Sequence, residues 1–279
     1  MSKVSIIMPC YNDGAYIEEA IASVHAQTYK DIELIIIDDG SDDEHTVRIL
    51  NEISNSTIKL VRTNRVRPAA ARNAGIAEAT GKYILPLDSD DIIESDYVEK
   101  AVKILQENNH IGVVYCYADL FGERSGRWDL PNYSFEKMLL DNIVFVSAMF
   151  YKEDWKKVGG FHTDMQHGME DYDFWLSILE LGREIHQLQE VLFHYRIKPS
   201  SRTTEFLTNI HVVKQTYYDI YHHHPKLYEK YKEQYAIVLR EALIDQIFLN
   251  RALQEGITIL EKVKRIPILK SIIKKFIMK

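Results

Sequence analysis

Short runs that are apolar at nearly every position, each stopping at a polar cluster, constrain this chain more than anything else in it. Residues 4–8 end at Pro9, residues 32–37 end at Asp38-Asp39-Gly40-Ser41, and residues 83–87 end at Asp88-Ser89-Asp90-Asp91. Helical text lies between them. Residues 15–26 carry Ile17, Ala20, Ile21 and Val24 on one face, and residues 69–79 read as helix after a further short strand at 58–62. Strands that are apolar throughout and alternate with helices predict an α/β fold, a mostly parallel sheet flanked by helices on both faces. Such sheets bind ligands beyond the carboxyl ends of their strands. The clusters at 9–13, 38–42 and 88–91 are therefore expected to share one crevice.

The middle of the chain is mixed. Residues 112–121 and 144–151 read as strands, 169–181 as a helix with Phe174, Ile178 and Leu181 on one face, and 184–195 as extended. From residue 205 onward nearly everything reads as helix. The expected organisation is one α/β domain over 1–204, with its first half at about 1–110 and its second at about 111–204. A helical extension over 205–279 follows.

Composition narrows the function classes. A length of 279 residues with 46% hydrophobic content suits one large domain plus an appendage and excludes global disorder. A net charge of -7 excludes a general nucleic-acid binder. The stretch from Lys262 to Lys279 nevertheless holds seven Lys/Arg and no Asp/Glu. Val263, Ile266, Leu269, Ile273, Phe276 and Ile277 recur there at helical spacing. A basic amphipathic helix of this kind suits an anionic membrane surface, although packing on the body or on a second subunit is the competing reading. Two cysteines, Cys10 and Cys116, give no disulfide framework and suit a reducing cytoplasm. The N-terminus reads as no signal peptide and no stretch reaches spanning length. The expected location is cytoplasmic, with peripheral attachment to the inner face of the cell membrane as an option.

Three carboxylate clusters carry the chemistry. Asp88, Asp90 and Asp91 repel one another unless something cationic compensates. Asp88 and Asp90 alternate on an extended segment and could share a hard divalent ion, Mg²⁺ or Mn²⁺. The competing reading is a cap for a helix beginning near Glu94. Asp38 and Asp39 could accept hydrogen bonds from a base or ribose, or simply cap a turn. Glu170 and Asp171 begin a helix, where carboxylates complement the dipole. Either could also serve there as a general base.

With these residues in place the chain resembles family 2 glycosyltransferases of the GT-A, nucleotide-diphospho-sugar transferase fold. Residues 4–12 look like the opening strand, 33–41 like the second strand with its aspartate pair, and Ala71-Arg72-Asn73-Ala74-Gly75-Ile76 like the Ala-Arg-Asn helix. Leu87 to Asp91 resembles the Asp-x-Asp motif. Gly159-Gly160-Phe161 with Met169-Glu170-Asp171 resembles the acceptor-side loop and base, and Tyr195-Arg196 the closing strand. The resemblance covers about residues 3–202 and implies a catalytic domain over 1–204, with a nucleotide-binding half at about 1–110 and an acceptor-binding half at about 111–204. It implies a hexosyltransferase using a nucleotide-sugar donor, UDP foremost, in capsule, lipopolysaccharide or other surface-glycan assembly. The implied acceptor is a glycan or a lipid-linked glycan. It implies Pro9, Tyr11 and Asp39 at the base, with Tyr11 as a stacking platform, and Asn64, Arg72, Asp88 and Ser89 as further donor contacts. Asp90 would ligate Mn²⁺ or Mg²⁺, and Asp171 would be the base of an inverting transfer, with Glu170 second. The loop Asn64-Arg65-Val66-Arg67-Pro68 departs from the family by lacking glycine, and one of its arginines could meet a donor phosphate. A catalytically silent scaffold of a synthase complex is the alternative, and a homodimer through the extension is open.

A dehydrogenase, a P-loop kinase and a sugar-nucleotide pyrophosphorylase are excluded by the absence of their glycine-rich turns. His222-His223-His224 reads as a polar helix end, because no second ligand group has recognisable spacing. His194 reads as structural, Trp155 and Trp175 as core, and Trp128 as an acceptor contact.

Overall fold

The computed structural model describes residues 2–53, 58–199, 206 and 208–264, the last seven of these for backbone alone. Two compact units divide the chain after Lys230.

The first unit opens with three strand–helix repeats: β1 (Val4–Cys10), α1 (Ile17–His25), β2 (Ile32–Asp38), α2 (Glu44–Ile53), β3 (Lys59–Arg62) and α3 (Arg67–Glu78). Next come β4 (Tyr83–Pro86), β5 (Ile92–Ile93), α4 (Tyr97–Glu107), β6 (Ile111–Gly122), β7 (Gly126–Arg127) and α5 (Phe135–Met138). The unit continues through β8 (Met149–Tyr151), α6 (Lys152–Val158), α7 (Glu170–Glu180), β9 (Glu184–Ile197), α8 (Ile210–His223) and α9 (Pro225–Lys230). Among the described residues these strands form one sheet in the order β3-β2-β1-β4-β8-β6-β9-β5, with β7 on β6.

The expected α/β architecture is present. β3, β2, β1 and β4 are mutually parallel. β1 lies inside the sheet and is covered on both faces, so Ile6, Ile7 and Met8 are fully buried, as are Ile35, Ile36 and Ile37 of β2. That double cover explains why these strands are apolar rather than alternating. α3 lies directly on this floor. A Cβ at Gly75 would come within 2.5 Å of Ile37 Cδ1 and 2.8 Å of Ile7 Cγ2, so only glycine permits the approach.

The second half is mixed. β6 and β9 run parallel over long, bulged strands, whereas β8 is antiparallel to both β4 and β6. β8 is shorter than the expected 144–151, because residues 144–148 leave the ladder. The Val144 carbonyl instead accepts the Trp175 indole N–H at 3.0 Å, and Phe145 stacks on Phe193. No helix begins near Glu94. Residues 92–93 pair with β9, and the helix starts at Tyr97.

α8 and α9 belong to the same unit. Tyr217 hydroxyl donates to Asp141 at 2.5 Å, and Ile220, Leu227 and Tyr228 are buried. The second unit contributes α10 (Lys232–Lys264), on which Ile237, Leu243, Ile247 and Phe248 are exposed. Apart from the backbone of its first three residues, the basic stretch 262–279 lies outside the described residues. Among the described residues no helix is long and apolar enough to cross a membrane.

Candidate active site

The carboxyl ends of β1, β2 and β4 lie side by side, since Cys10 pairs with Asp38 and Ile7 with Pro86. Asn12, in the left-handed region at φ 57°, ties the first two ends together. Its side-chain oxygen accepts the Asp42 and Asp43 N–H groups, each at 3.0 Å. Pro9 sits half-buried next to the end of β1.

Asp39 is buried and organises the loop after β3. It accepts the Thr63 hydroxyl at 2.7 Å and the backbone N–H groups of Val66 at 2.7 Å and Arg67 at 2.8 Å. These bonds hold Arg65 and Arg67 at φ 54° and 74°, conformations that favour glycine. The glycine-free loop therefore adopts a glycine-like path, over-determined by one carboxylate. The Arg65 guanidinium lies over the Tyr11 ring, 4.6 Å from its centroid, and Arg67 donates to the Gln166 carbonyl at 3.0 Å. Asn64 is exposed on the same loop.

The acidic cluster after β4 is met by two built-in cations. Arg72, only 3% exposed, donates to Asp88 at 2.7 Å and to Glu170 at 2.8 Å. Lys198 lies 2.7 Å from Asp90 and 2.9 Å from Asp13, and Asp13 also accepts the Ser89 hydroxyl at 2.9 Å. Burial raises the Asp90 pKa, the charge of Asp88 adds to the rise, and Lys198 opposes it. Asp91 is buried and its pKa is raised well above the ordinary carboxylate range by burial, then by Asp90 and Asp88. Its carboxylate accepts the Arg196 N–H at 2.8 Å, so it braces β9 rather than capping a helix.

Asp88 and Asp90 are 33% and 14% exposed, and both open toward the crevice as hard oxygen donors that suit Mg²⁺ or Mn²⁺. An ammonium held between Asp90 and Asp13 marks a place where the fold demands positive charge. The oxygens of Asp90 and Asp13 are of the kind that suits a divalent ion, for which the Lys198 ammonium would compete.

The other wall is the start of α7. Met169 precedes it at φ 64°, and Glu170 faces inward onto Arg72. Asp171 is half-buried and accepts its neighbour's N–H, from Tyr172, at 2.9 Å. Burial pushes the Asp171 pKa up to about 6, the charge of Glu170 adds to the rise, and Arg72 opposes it. A carboxylate with that pKa is ionised at neutral pH yet still basic enough to take a proton. The loop before α7 is pinned by Asn73, whose amide donates to the Phe161 carbonyl at 2.7 Å. Its oxygen accepts the Phe161 N–H and the Trp155 indole N–H, each at 2.9 Å. Gly160 passes this clasp at φ 90°, where a Cβ would lie 2.7 Å from Asn73 Oδ1.

Arg72 thus brings Asp88 and Glu170, from two of the three carboxylate clusters, onto one side chain, while Ser89 and Asp90 converge on Asp13. Asp39 lies on the neighbouring strand end with its carboxylate engaged by its own loop. Lys198 escapes sequence reasoning, since nothing in its spacing announces it. Asp13 falls in the 9–13 cluster and Asn73 in the Ala-Arg-Asn motif, but the sequence gives neither a role of its own. His194 pairs with Glu94 at 2.7 Å, in keeping with a structural histidine. Trp128 lies between Tyr195 and Phe145, with ring centroids 4.8 and 5.9 Å away.

Comparison with known proteins identifies the family and the fold. Residues 5–169 match Glycosyl transferase family 2. A glycosyltransferase of Haemophilus influenzae is 42% identical over 129 residues, covering 44% of this chain and 51% of that protein. Chondroitin synthase of Pasteurella multocida is 31% identical over 189 residues, covering 66% of this chain and 19% of that protein. The chain therefore spans about half the length of the first relative and about a fifth of the second. The crystal structure of S. aureus TarS 1-349 in complex with UDP-GlcNAc shares the fold, with a TM-score of 0.61, 21% identity and coverage of 72% of this chain and 60% of that one. On the extent of the family match, with its motifs gathered in one crevice, this chain belongs to glycosyl transferase family 2.

Proposed function

We propose that this chain transfers a sugar, with inversion, from a UDP-sugar to a hydroxyl of a glycan or lipid-linked glycan during surface-polysaccharide assembly. The observation that carries this reading is Arg72, which ties Asp88 at the end of β4 to Glu170 at the start of α7. That bridge sets a donor-side carboxylate and an acceptor-side carboxylate against one crevice. The UDP-GlcNAc named with the TarS structure and the chondroitin synthase relative support a UDP-sugar donor and a polysaccharide product.

Asp171 takes the proton of the acceptor hydroxyl. The acceptor oxygen forms its bond to the anomeric carbon as the bond to the diphosphate oxygen breaks on the opposite face, which inverts the centre. Tyr11 offers a ring face to the base, and Asp88 and Ser89 lie where the ribose and diphosphate would meet the strand end. Asp90 would hold Mn²⁺ or Mg²⁺, which as a Lewis acid offsets charge developing on the leaving group. Lys198, released from Asp90, reaches the same diphosphate with its ammonium. Glu170 is the second candidate base, but its tie to Arg72 leaves Asp171 the freer carboxylate. The exposed apolar side chains of α10 offer a face for a second copy of the chain. The basic stretch 262–279 gives the protein a means of resting on an anionic membrane.

Calorimetric titration with UDP, GDP, dTDP and CDP, each with and without Mn²⁺, tests the donor site. UDP is expected to bind tightest and to need the metal, with Asp90→Ala removing the metal dependence. Lys198→Met is expected to raise Mn²⁺ affinity about tenfold by removing the competing ammonium, the scale of roughly 1.4 kcal/mol. Absence of nucleotide binding under every condition rejects the transferase in favour of a silent scaffold.

A further inference from the structure

A second polar cluster lies on the same loop and helix, away from the acidic residues. The sequence supplies no partner for the histidine run at 222–224, but the fold does. His162 follows the Gly159-Gly160 turn, Asp173 sits in the first turn of α7, and His223 closes α8. His162 Nδ1 lies 2.6 Å from Asp173 Oδ2, and His223 Nδ1 lies 2.7 Å from Asp173 Oδ1. One donor atom from each of the three residues lies within 4.8 Å of the others. Asp173 is fully buried.

A purely hydrogen-bonded network leaves this cluster incomplete. His224 is 1% exposed, with Nε2 3.3 Å from Asp173 and Nδ1 3.5 Å from Glu180, and neither nitrogen is in hydrogen-bond geometry. Leaving buried polar atoms unpaired is costly, so each needs a reason. On its far side, His223 Nε2 lies 3.4 Å from Asp164 Oδ2.

We infer that His162, Asp173 and His223 form a binding site for a divalent transition-metal ion of the zinc class, separate from the oxygen-lined acidic cluster. Two imidazole nitrogens and one carboxylate are the donor set of borderline ions such as Zn²⁺, whereas Mg²⁺ and Mn²⁺ prefer oxygen alone. A neutral imidazole carries one N–H. Shifting it from Nδ1 to Nε2 presents the Nδ1 lone pair to the ion without net loss of a proton. The His223 Nε2–H then faces Asp164, the outer carboxylate that commonly orients a ligating histidine. Asp173 gives up two imidazole donors in the exchange and keeps His224 Nε2, which already lies 3.3 Å from its Oδ1. A cavity of about 300 Å³ lined by His162, His223, His224, Ser177, Glu180 and Lys157 leaves room for a solvent ligand. Lys157 is already paired with Glu153 at 2.7 Å. The ion joins three segments that sequence separates widely: the loop after Gly160, α7 and the end of α8. It also fixes α7 two residues beyond Asp171.

The full-length chain, stripped with EDTA and desalted, is titrated with Zn²⁺ against a chromophoric chelator in excess Mg²⁺, with elemental analysis of the recovered protein. One Zn²⁺ per chain is expected in wild type and in Asp90→Ala, so the result is independent of the donor site. His162→Gln and His223→Gln are each expected to weaken binding at least tenfold. Saturation at a hundredfold excess over Kd is expected to raise the wild-type Tm by about 5–10 °C. The site is rejected if Zn²⁺ fails to bind wild type, binds both histidine variants as tightly, or is lost in Asp90→Ala. Should a histidine variant fail to fold, the Co²⁺ form of wild type decides. Visible absorption from low-coordinate nitrogen–oxygen ligation supports the site, and a colourless complex overturns it.

Discussion

The two halves of the sheet are built by different rules. In β3-β2-β1-β4 every pairing is parallel, and each strand hands its carboxyl end directly to the crevice. In the half containing β8, β6 and β9 the pairings alternate in sense, and the residues proposed for the acceptor side sit on a helix and a loop. Asp39, Asp88 and Asp90 are placed by strands, which are rigid and locally encoded. Glu170 and Asp171 are placed by α7, whose position depends on distant contacts: Arg72 with Glu170, and Asn73 with Phe161 and Trp155. On the proposed reading, a donor site is inherited from the sheet, while an acceptor site must be fastened to it.

The largest expected effect separates the halves by function. Asp171→Asn should lower kcat by about 10²–10⁴, the usual worth of a general base, while UDP affinity stays within twofold of wild type. The pH profile gives the sign. The proposed base, Asp171, would act when ionised and its pKa is pushed up to about 6, so kcat/KM should fall roughly tenfold per pH unit below about 6. That acid limb should vanish from the residual activity of the variant. If Asp171→Asn weakens UDP as much as it slows turnover, the division between the halves collapses.

Legibility follows the same division. The first half was readable because a strand covered on both faces must be apolar throughout, and its polar end announces the crevice. α3 was readable for a similar reason, since Gly75 lies where the helix touches Ile7 and Ile37. Residues 144–148 misled because a buried apolar run looks the same whether its carbonyls enter a ladder or, as with Val144, accept a Trp indole. Lys198 could not be read as a site residue. A lysine after a strand is ordinary until the fold carries it to Asp13 and Asp90 across more than a hundred residues. The histidine run was legible as a run, but its partners His162 and Asp173 lie on other elements, so no spacing rule could find them.

A smaller effect tests the fastening itself. Gly160→Ala forces an L-residue to φ 90° and drives its Cβ to 2.7 Å from Asn73 Oδ1 and 3.0 Å from the Trp155 indole nitrogen. Backbone strain and loss of the clasp should together cost about 2–4 kcal/mol, or roughly 4–16 °C in Tm. If the two halves are built independently, the folded variant should bind UDP as wild type does and lose only turnover. Loss of nucleotide binding in protein shown to be folded would mean that the clasp also sets the donor half.

The smallest effect concerns the donor half alone, where one carboxylate holds an arginine in a glycine's conformation. Arg65→Gly removes left-handed strain of about 1–2 kcal/mol. It also gives the unfolded chain about 0.5–1 kcal/mol more entropy to lose, and it removes a cation–π contact with Tyr11 worth about 0.5–1 kcal/mol. These terms nearly cancel, so thermal unfolding should shift little, by less than about 1 kcal/mol. Nucleotide binding should respond more clearly than stability. The guanidinium, 4.6 Å from the Tyr11 centroid, covers the ring face on which a base would stack. Removing it should tighten UDP about two- to fivefold in calorimetry, the equivalent of that lost contact. Weaker UDP binding would reverse the role of Arg65, from a cover that the base displaces to a cation that grips the donor phosphates. In that case the donor half, like the acceptor half, would depend on a side chain the strands do not place.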